Sequence, residues 1–367
     1  MTQVKLVDLV SQYHKFAPAI DANIQAVLDG GQFIMGPEVQ ALEQELSRFT
    51  GARQAICVCD GTKALLIALL ALGVEPGDEV IMPTFAFVSP AEMAALIGAK
   101  SVFVDIDPDT YLIDPELLEQ AITARTKAII AVSLFGQCAD FSSINEIAKR
   151  HGVAVIEDAA QSFGATYHGM SSTNLSLIAT TSFFPSKPFG CYGDGGACFT
   201  RNDGLSGRMR EISQHGQSER YVHRVVGING RLDSIQAAIL LAKLPHLAWE
   251  LEARAAVAER YDDGLRGIVR LPRTAAGNTH VYAQYTIEVD NRDRFRKVLE
   301  AFGIQTAIHY PTPLHLQPAY SNGLGLGAFP VSERAAGRVV SLPLHPYLQE
   351  SDQDRVIAAV KKAALDC

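Results

Sequence analysis

Short apolar runs alternate with helical patterns between residues 54 and 200, and this alternation constrains the fold more than any other feature. Each run has the length of a strand and most are rich in valine and isoleucine, as expected of strands covered on both faces. Such an alternation is typical of an α/β fold with a largely parallel sheet sandwiched by helices. The strands are predicted at 55–59, 79–83, 101–105, 128–134, 154–157, 180–184 and 197–200, and helices at 63–72, 90–97, 115–121 and 143–150.

The flanking segments predict a lead-in and a second, smaller domain. Apolar residues at helical spacing over 18–28, and a helix starting at Pro37, precede the first strand. After a charged, helical-looking stretch at 208–265, a small α+β domain is predicted, with strands at 281–289 and 305–310, helices at 292–302 and 351–365, and a long loop at 311–330. We therefore expect a large domain at 1–250 and a small C-terminal domain at 251–367.

Composition excludes several classes of protein. The net charge of −8 argues against an electrostatic nucleic-acid binder and against a polybasic membrane anchor. The six cysteines form no Cys-x-x-Cys pair and match no histidine pattern, so we expect reduced thiols and no metal site. Neither a signal-peptide core nor an apolar run of membrane-spanning length is visible, and we expect a cytoplasmic protein.

Ligands of open parallel sheets bind beyond the carboxyl ends of the strands, and one lysine in that region stands out. Lys187 lies between Pro185 and Pro188, after an apolar run and ahead of four glycines. The prolines restrict the backbone, and a lysine held on a rigid, half-buried loop loses solvation. Its amine is then easier to deprotonate, as a Schiff-base lysine requires. The alternative is a surface lysine on a glycine-rich turn.

Two other strand ends carry carboxylates. Asp60 can cap the helix that follows it, while Gly61 and Thr62 offer a close backbone approach and a hydroxyl, which suits a phosphate. An ordinary capped helix start is the alternative. Asp158 ends a buried run, where an unpaired acid is costly, and a protonated ring nitrogen would be a suitable partner. Asp158 could equally cap the next helix.

Further candidates are weaker individually. Ser182 could add a phosphate contact or simply bond to backbone, and Phe87 could stack on a flat ring or lie in the core. Arg231 could hold a carboxylate in bidentate fashion or pair with Asp233 or Glu219. His309 and Tyr310 close a predicted strand and are placed to line a pocket.

Taken together, the motifs resemble the DegT/DnrJ/EryC1/StrS family of sugar aminotransferases, which use pyridoxal phosphate on a type I aminotransferase fold. The resemblance extends over nearly the whole chain. It rests on motifs in a fixed order, at 36–39, 60–65, 77–80, 157–161, 182–187, 193–196, 227–232, 309–311 and 341–343.

The resemblance implies a role for each candidate. Lys187 would form the Schiff base with pyridoxal phosphate, and Asp158 would pair with the pyridine nitrogen. Phe87 and Gln161 would flank the cofactor ring and its hydroxyl. The phosphate would be held by Gly61, Thr62 and Ser182, with Asn229 supplied by the partner subunit of a homodimer that shares its active sites.

The amino-acid sequences of the segments 133–140, 182–193 and 227–241 closely resemble those of one subgroup of the family. Members of that subgroup aminate C3 of a UDP-linked 2-acetamido-3-keto-glucuronate, use glutamate as the donor and serve surface polysaccharide synthesis. Arg231, His309 and Tyr310 are then implied to contact the sugar nucleotide. One departure is visible, because Ser176-Leu177 stands where the family has Gly-Asp.

Other functions fit less well. An aminotransferase of another nucleotide keto-sugar would share the same motifs. A pyridoxal-phosphate sugar dehydratase resembles this chain but carries histidine where Lys187 stands. A nicotinamide-dependent oxidoreductase needs Gly-x-Gly-x-x-Gly after the first strand, and Asp60-Gly-Thr does not supply it. A regulatory member without turnover is disfavoured by the intact Asp158 and Lys187.

Overall fold

The computed structural model describes residues 3–321 and 323–366, and a mixed sheet forms the centre of the protein. Its strands end within a few residues of the predicted ones. Along the chain the strands are Gln54–Val58 (β1), Glu79–Pro83 (β2), Lys100–Val104 (β3), Thr126–Val132 (β4), Ala154–Asp158 (β5), Thr166–Tyr167 (β6), Met170–Ser171 (β7), Ile178–Ser182 (β8), Gly196–Thr200 (β9), Gln217–Glu219 (β10), Val222–His223 (β11), Tyr285–Glu288 (β12) and Val339–Leu342 (β13).

Helices fill most of the connections. They are Leu9–Gly30 (α1), Pro37–Thr50 (α2), Gly61–Ala71 (α3), Ser89–Leu96 (α4), Pro115–Gln120 (α5), Phe141–His151 (α6), Asp203–Ser213 (α7), Ser234–Lys243 (α8), Leu247–Leu265 (α9), Arg292–Ala301 (α10), Pro330–Arg338 (α11) and Glu350–Asp366 (α12). Pro37 occupies the first turn of α2, as predicted, because a proline there loses no helical hydrogen bond.

The central sheet has the strand order β1-β9-β8-β5-β4-β2-β3. The pairings from β8 through β3 are parallel, whereas β9 runs antiparallel to both of its neighbours, β1 and β8. The predicted α/β class with a mainly parallel sheet is therefore confirmed. Because β9 reverses between them, β1 and β8 run in the same direction and end at the same edge of the sheet.

The prediction for residues 208–265 was wrong in part. The helix α7 ends at Ser213, and a short β10–β11 hairpin follows before α8 begins. His215 and Gly216 have φ values of 61° and 72°, a left-handed conformation that no helix can continue through.

The predicted strand at 305–310 was also wrong. That segment forms only an isolated bridge between Ala307 and Ser341, while the regular partner of β12 is β13. The small sheet packs under α9, α10 and α12 in an apolar core of its own, which also includes Val4.

The helix α9 takes part in two cores. Leu247, in its first turn, packs in the core beneath the large sheet. Val257, Ala258, Tyr261 and Leu265 pack in the core of the small sheet. One continuous helix therefore joins the two apolar interiors.

Two observations bear on the expected setting. Among the described residues, no helix combines the length and apolarity needed to span a bilayer. The described cysteines are Cys57, Cys59, Cys138, Cys191 and Cys198, all of them free, and Cys367 lies outside the described residues.

Candidate active site

The start of α3 lies against the end of β8. In the sheet register, Gly196 of β9 is paired with Val58 on one side and with Ser182 on the other. This brings the segment after β1 beside Ser182. A Cβ atom added to Gly61 would lie 2.6 Å from the Ser182 Cβ, so only glycine fits at this close approach.

Hydroxyl groups and helix amides meet at this point. Asp60 caps α3, since its Oδ1 accepts the Lys63 amide at 2.6 Å, as predicted. The Thr62 Oγ1 lies 3.0 Å from the Ser89 Oγ. The Ser182 Oγ accepts the Phe184 amide at 3.2 Å. A helix N-terminus with flanking hydroxyls suits a phosphate group, because its first amides have no helical partner.

Lys187 lies on a loop that is closed by its own backbone. The Lys187 amide donates to the Phe184 carbonyl at 2.9 Å, and the Cys191 amide donates to the Phe183 carbonyl at 2.8 Å. Burial lowers the pKa of the Lys187 amine, and the negative charge of Asp158 partly opposes that shift. The amine thus has the environment expected from the sequence.

Asp158 is a buried carboxyl group at the end of β5. Within the described residues it accepts one hydrogen bond, from the Ala160 amide at 3.1 Å. Burial raises the pKa of Asp158, while the Ala160 amide and the Lys187 charge act in the opposite direction. The segment directly after Asp158 forms a turn at 160–164 and no helix, so the alternative of a helix cap was wrong. The carboxyl group retains capacity for a cationic partner.

Gln161 and Tyr310 are joined by a hydrogen bond. The Gln161 Nε2 donates to the Tyr310 hydroxyl oxygen at 3.0 Å, and the Gln161 Oε1 accepts the Phe135 amide at 2.7 Å. Phe87 lies next to Tyr310, with ring centroids 5.9 Å apart. Phe87 is 53% exposed, which excludes the alternative of a core phenylalanine and leaves a ring face free for stacking.

His309 lies near Lys187 as well. Its Nδ1 is 2.8 Å from the Ser341 Oγ. Burial and the positive charge of Lys187 lower the pKa of His309 to about 4, so the imidazole is neutral at neutral pH. Lys187 thus lies close enough to Asp158 and His309 for their charges to influence one another, and Asp158 likewise acts on Tyr310.

Asn229 and Arg231 line a cavity of about 430 Å³ together with Cys59, Asp194 and Asp60, the residue that caps α3. The Arg231 Nε donates to the Asn229 Oδ1 at 3.1 Å. Among the described residues, Arg231 makes no ion pair with Asp233 or Glu219, the alternatives considered from the sequence. Its guanidinium group is therefore available to an anion.

Sequence reasoning missed a buried set of linked hydrogen bonds at the end of β2. The His315 Nδ1 lies 2.7 Å from the Thr84 Oγ1, and the His315 Nε2 lies 3.1 Å from the Glu333 Oε1. These hydrogen bonds fasten the segment after Tyr310 to the end of β2. His315 lies in the long loop predicted at 311–330, but no pattern in that loop indicated its partners.

The departure at Ser176-Leu177 leaves the surrounding strands intact. The Ser176 Oγ accepts the Glu157 amide at 3.1 Å and donates to the Ile178 carbonyl at 2.7 Å. The serine therefore bridges β5 and β8, the two strands that end in Asp158 and Ser182.

The arrangement fits pyridoxal phosphate. The close approach of Gly61 to Ser182 leaves room for no side chain at a helix N-terminus suited to a phosphate. The buried Asp158 can meet a protonated ring nitrogen, and the desolvated Lys187 can react with an aldehyde.

Residues 15–361 match the profile of the DegT/DnrJ/EryC1/StrS aminotransferase family. The chain belongs to this family. The resemblance drawn from the motifs is thereby confirmed, and the aminotransferase is a pyridoxal-phosphate enzyme like its relatives.

Curated relatives match over nearly their full lengths. The chain is 53% identical to the UDP-2-acetamido-2-deoxy-3-oxo-D-glucuronate aminotransferase of Pseudomonas aeruginosa, over 97% of this chain and 99% of that protein. It is 44% identical to a pleiotropic regulatory protein of Geobacillus stearothermophilus, over 97% of both chains. It is 40% identical to a UDP-N-acetyl-3-dehydro-alpha-D-glucosamine 3-aminotransferase of Acidithiobacillus ferrooxidans, over 98% of both chains.

Solved structures confirm the predicted type of fold. The crystal structure of DesV from Streptomyces venezuelae matches with a TM-score of 0.97 and 39% identity, over 99% of both chains. A structure of NtdA from Bacillus subtilis with bound cofactor PMP matches with a TM-score of 0.91 and 32% identity, over 100% of this chain and 86% of that one.

Proposed function

We propose that this aminotransferase transfers an amino group from glutamate to the 3-keto group of a UDP-linked 2-acetamido-2-deoxy-3-oxo-hexuronate. The similarity to the Pseudomonas aeruginosa enzyme over nearly the whole chain is the observation that carries this proposal. As in that subgroup, the product would serve synthesis of a surface polysaccharide. We also propose that the enzyme acts in the cytoplasm.

The proposed site uses Lys187 as the lysine bonded to pyridoxal phosphate. When bound, the cofactor would supply an electron sink for the charge that develops when a substrate Cα proton departs. The Lys187 amine would accept that proton, and the lowered pKa of this amine suits the task. Glutamate and the keto-sugar would use the site in turn.

The other residues would hold and polarise the cofactor. Asp158 would stabilise the protonated ring nitrogen, and this positive charge would in turn favour the ionised carboxylate. Gln161 and Phe87 would contact the ring from the hydroxyl side and one face. The phosphate would be held by Gly61, Thr62 and Ser182, with Asn229 contributed across a homodimer interface.

The sugar nucleotide would be read by Arg231, His309 and Tyr310. Arg231 makes no ion pair within the described part of the chain, and such an arginine can hold a uronate carboxylate through two parallel hydrogen bonds. A uronate would therefore be preferred over a sugar with a 6-hydroxymethyl group.

The test is an assay of the purified enzyme with glutamate and a panel of keto-sugar nucleotides, following 2-oxoglutarate formation. We expect the UDP-linked 3-oxo-hexuronate to be the best substrate. Faster turnover of UDP-3-dehydro-glucosamine or of a dTDP-linked keto-sugar would replace the proposed substrate, and no transamination with any member would reject the proposed function.

A further inference from the structure

The helix α8 holds the loop that carries Lys187 at two backbone positions. The Gln236 Oε1 accepts the Tyr192 amide at 2.9 Å. About two helical turns further along the same face, the Lys243 Nζ donates to the Gly190 carbonyl oxygen. Both contacts are made to main-chain atoms, so they constrain the path of the loop whatever its side chains do.

The backbone at Gly190 packs tightly against an earlier part of the same loop. The chain folds back so closely there that a Cβ atom added to Gly190 would lie 2.6 Å from the Phe184 carbonyl oxygen. Phe184 also accepts the Lys187 amide. A contact that fixes Gly190 therefore limits the movement of the backbone on which Lys187 is mounted.

Lys243 is unusual because its side chain is a cation in the protein interior, with 1% of the residue exposed. A buried ammonium group costs free energy unless hydrogen bonds and a countercharge compensate. The ammonium lies 5.2 Å from the centroid of the Tyr192 ring, which supplies part of that compensation. Burial lowers the pKa of Lys243 to about 8, and the negative charge of Glu250 opposes this shift.

Glu250 is fixed in its turn. Its Oε1 accepts the Gln12 Nε2 at 2.6 Å and the Tyr347 hydroxyl at 2.5 Å. Glu250, on α9, is thus held by residues of α1 and of the segment before α12. Among the described residues no hydrogen bond or ion pair joins it to Lys243, so it acts on the ammonium group as a nearby negative charge.

We propose that Lys243 is a positioning residue, whose buried ammonium group fixes the Gly190 carbonyl and thereby the loop that presents Lys187 to the cofactor. The inference rests on the proposed function only in taking Lys187 as the cofactor lysine. It assigns to Lys243 no contact with the substrate or the reacting atoms.

The test compares Lys243→Met, which keeps most of the unbranched apolar part of the side chain but removes its charge and its donor, with Leu299→Ala. Leu299 lies in the core of the small sheet and serves as a destabilised control. In the apoprotein, we expect Lys243→Met to speed hydrogen exchange of the Lys187 and Cys191 amides by about tenfold or more, because a hydrogen bond to a charged group is lost. Pyridoxal phosphate should bind about 10- to 100-fold more weakly.

Leu299→Ala should change neither measurement beyond its effect on global unfolding. The inference is overturned if Lys243→Met exchanges at the wild-type rate, or if its cofactor affinity equals that of Leu299→Ala. Lys243→Gln, a shorter donor without charge, is the second variant, and failure of both variants to fold would show a purely structural role. Borohydride labelling of wild type at a residue other than Lys187 would instead refute the proposed site, while the exchange data would still report on the loop.

Discussion

The side-chain amide of Gln161 donates a hydrogen bond to the Tyr310 hydroxyl at 3.0 Å, while its carbonyl oxygen accepts the Phe135 amide. One buried glutamine thus joins the end of β4, the segment after β5 and the residue that packs on Phe87. Both polar groups of the Gln161 side chain are hydrogen-bonded. Replacing Gln161 therefore removes two hydrogen bonds, whereas removing the Tyr310 hydroxyl removes one.

Gln161→Leu should lower the free energy of unfolding of the apoprotein by about 1–3 kcal/mol, because the Phe135 amide is left buried without an acceptor. Tyr310→Phe removes only one hydroxyl group and should cost less, about 1 kcal/mol. Urea unfolding of both variants checks the difference. An equal or larger loss for Tyr310→Phe would contradict the order.

Replacing Lys187 separates chemistry from stability. Lys187→Met should abolish turnover, with a loss of at least ~10²–10⁴-fold, since the proposed proton-transfer group and the proposed bond to the cofactor both disappear. The apoprotein should nevertheless be more stable than wild type at neutral pH. The native pKa of Lys187 lies below that of the unfolded chain, so the native state binds fewer protons and the charged amine opposes folding.

This stability gain should shrink as the pH rises towards the ordinary lysine value of about 10.4, where the amine is neutral in both states. Thermal or urea unfolding of the apoprotein across that range is the measurement. A variant less stable than wild type at every pH would show that Lys187 and Asp158 act as a net stabilising pair.

The contact between Gly61 and Ser182 predicts a strained variant and its relief. Gly61→Ala should destabilise the protein by about 1–3 kcal/mol, because the new methyl group overlaps the Ser182 Cβ. Adding Ser182→Gly removes that atom and should recover much of the loss. Comparison of both single variants with the double variant measures the coupling, and strictly additive losses would contradict the proposed overlap.

Acid should destabilise the protein partly through His280. Burial lowers the pKa of His280 to about 3, well below its ordinary value of 6.5. Between those values the unfolded state binds a proton that the native state does not, so the free energy of unfolding falls as the pH is lowered. His280→Gln should reduce the uptake of protons on unfolding by up to about one in this range. An unaltered slope in His280→Gln would contradict the assignment.

Arg231→Ala tests the recognition of the uronate. If Arg231 holds the carboxylate, kcat/KM for a uronate should fall about 10- to 100-fold, as expected for the loss of hydrogen bonds to a charged group. The 6-hydroxymethyl analogue should be affected far less. Equal losses on both substrates would assign Arg231 a role other than reading the carboxylate.

Much of the central sheet was predictable because its strands are short, apolar and separated by helical patterns. The strands ending near Pro83, Asp158 and Ser182 were each placed within a few residues. The antiparallel direction of β9 was not predictable, since periodicity does not encode the direction of a strand. The segment at 305–310 has the β-branched pattern of a strand but finds only one bridging partner.

The candidate site also contains residues that could be predicted from the sequence and contacts that could not. Lys187 stands out because two prolines restrict the backbone around it, and Asp158 because an acid at the end of a buried strand is costly without a partner. The bonds from His315 to Glu333, and from Lys243 to Gly190, connect residues far apart in the chain and depend on tertiary packing. No local pattern could have revealed them.

The helix α9 begins in one apolar interior and ends in the other. A cut placed within Leu247–Leu265 would therefore remove part of the apolar packing from both cores. Neither fragment should then fold as a soluble unit by itself. Splitting or permuting this enzyme calls for cut points elsewhere.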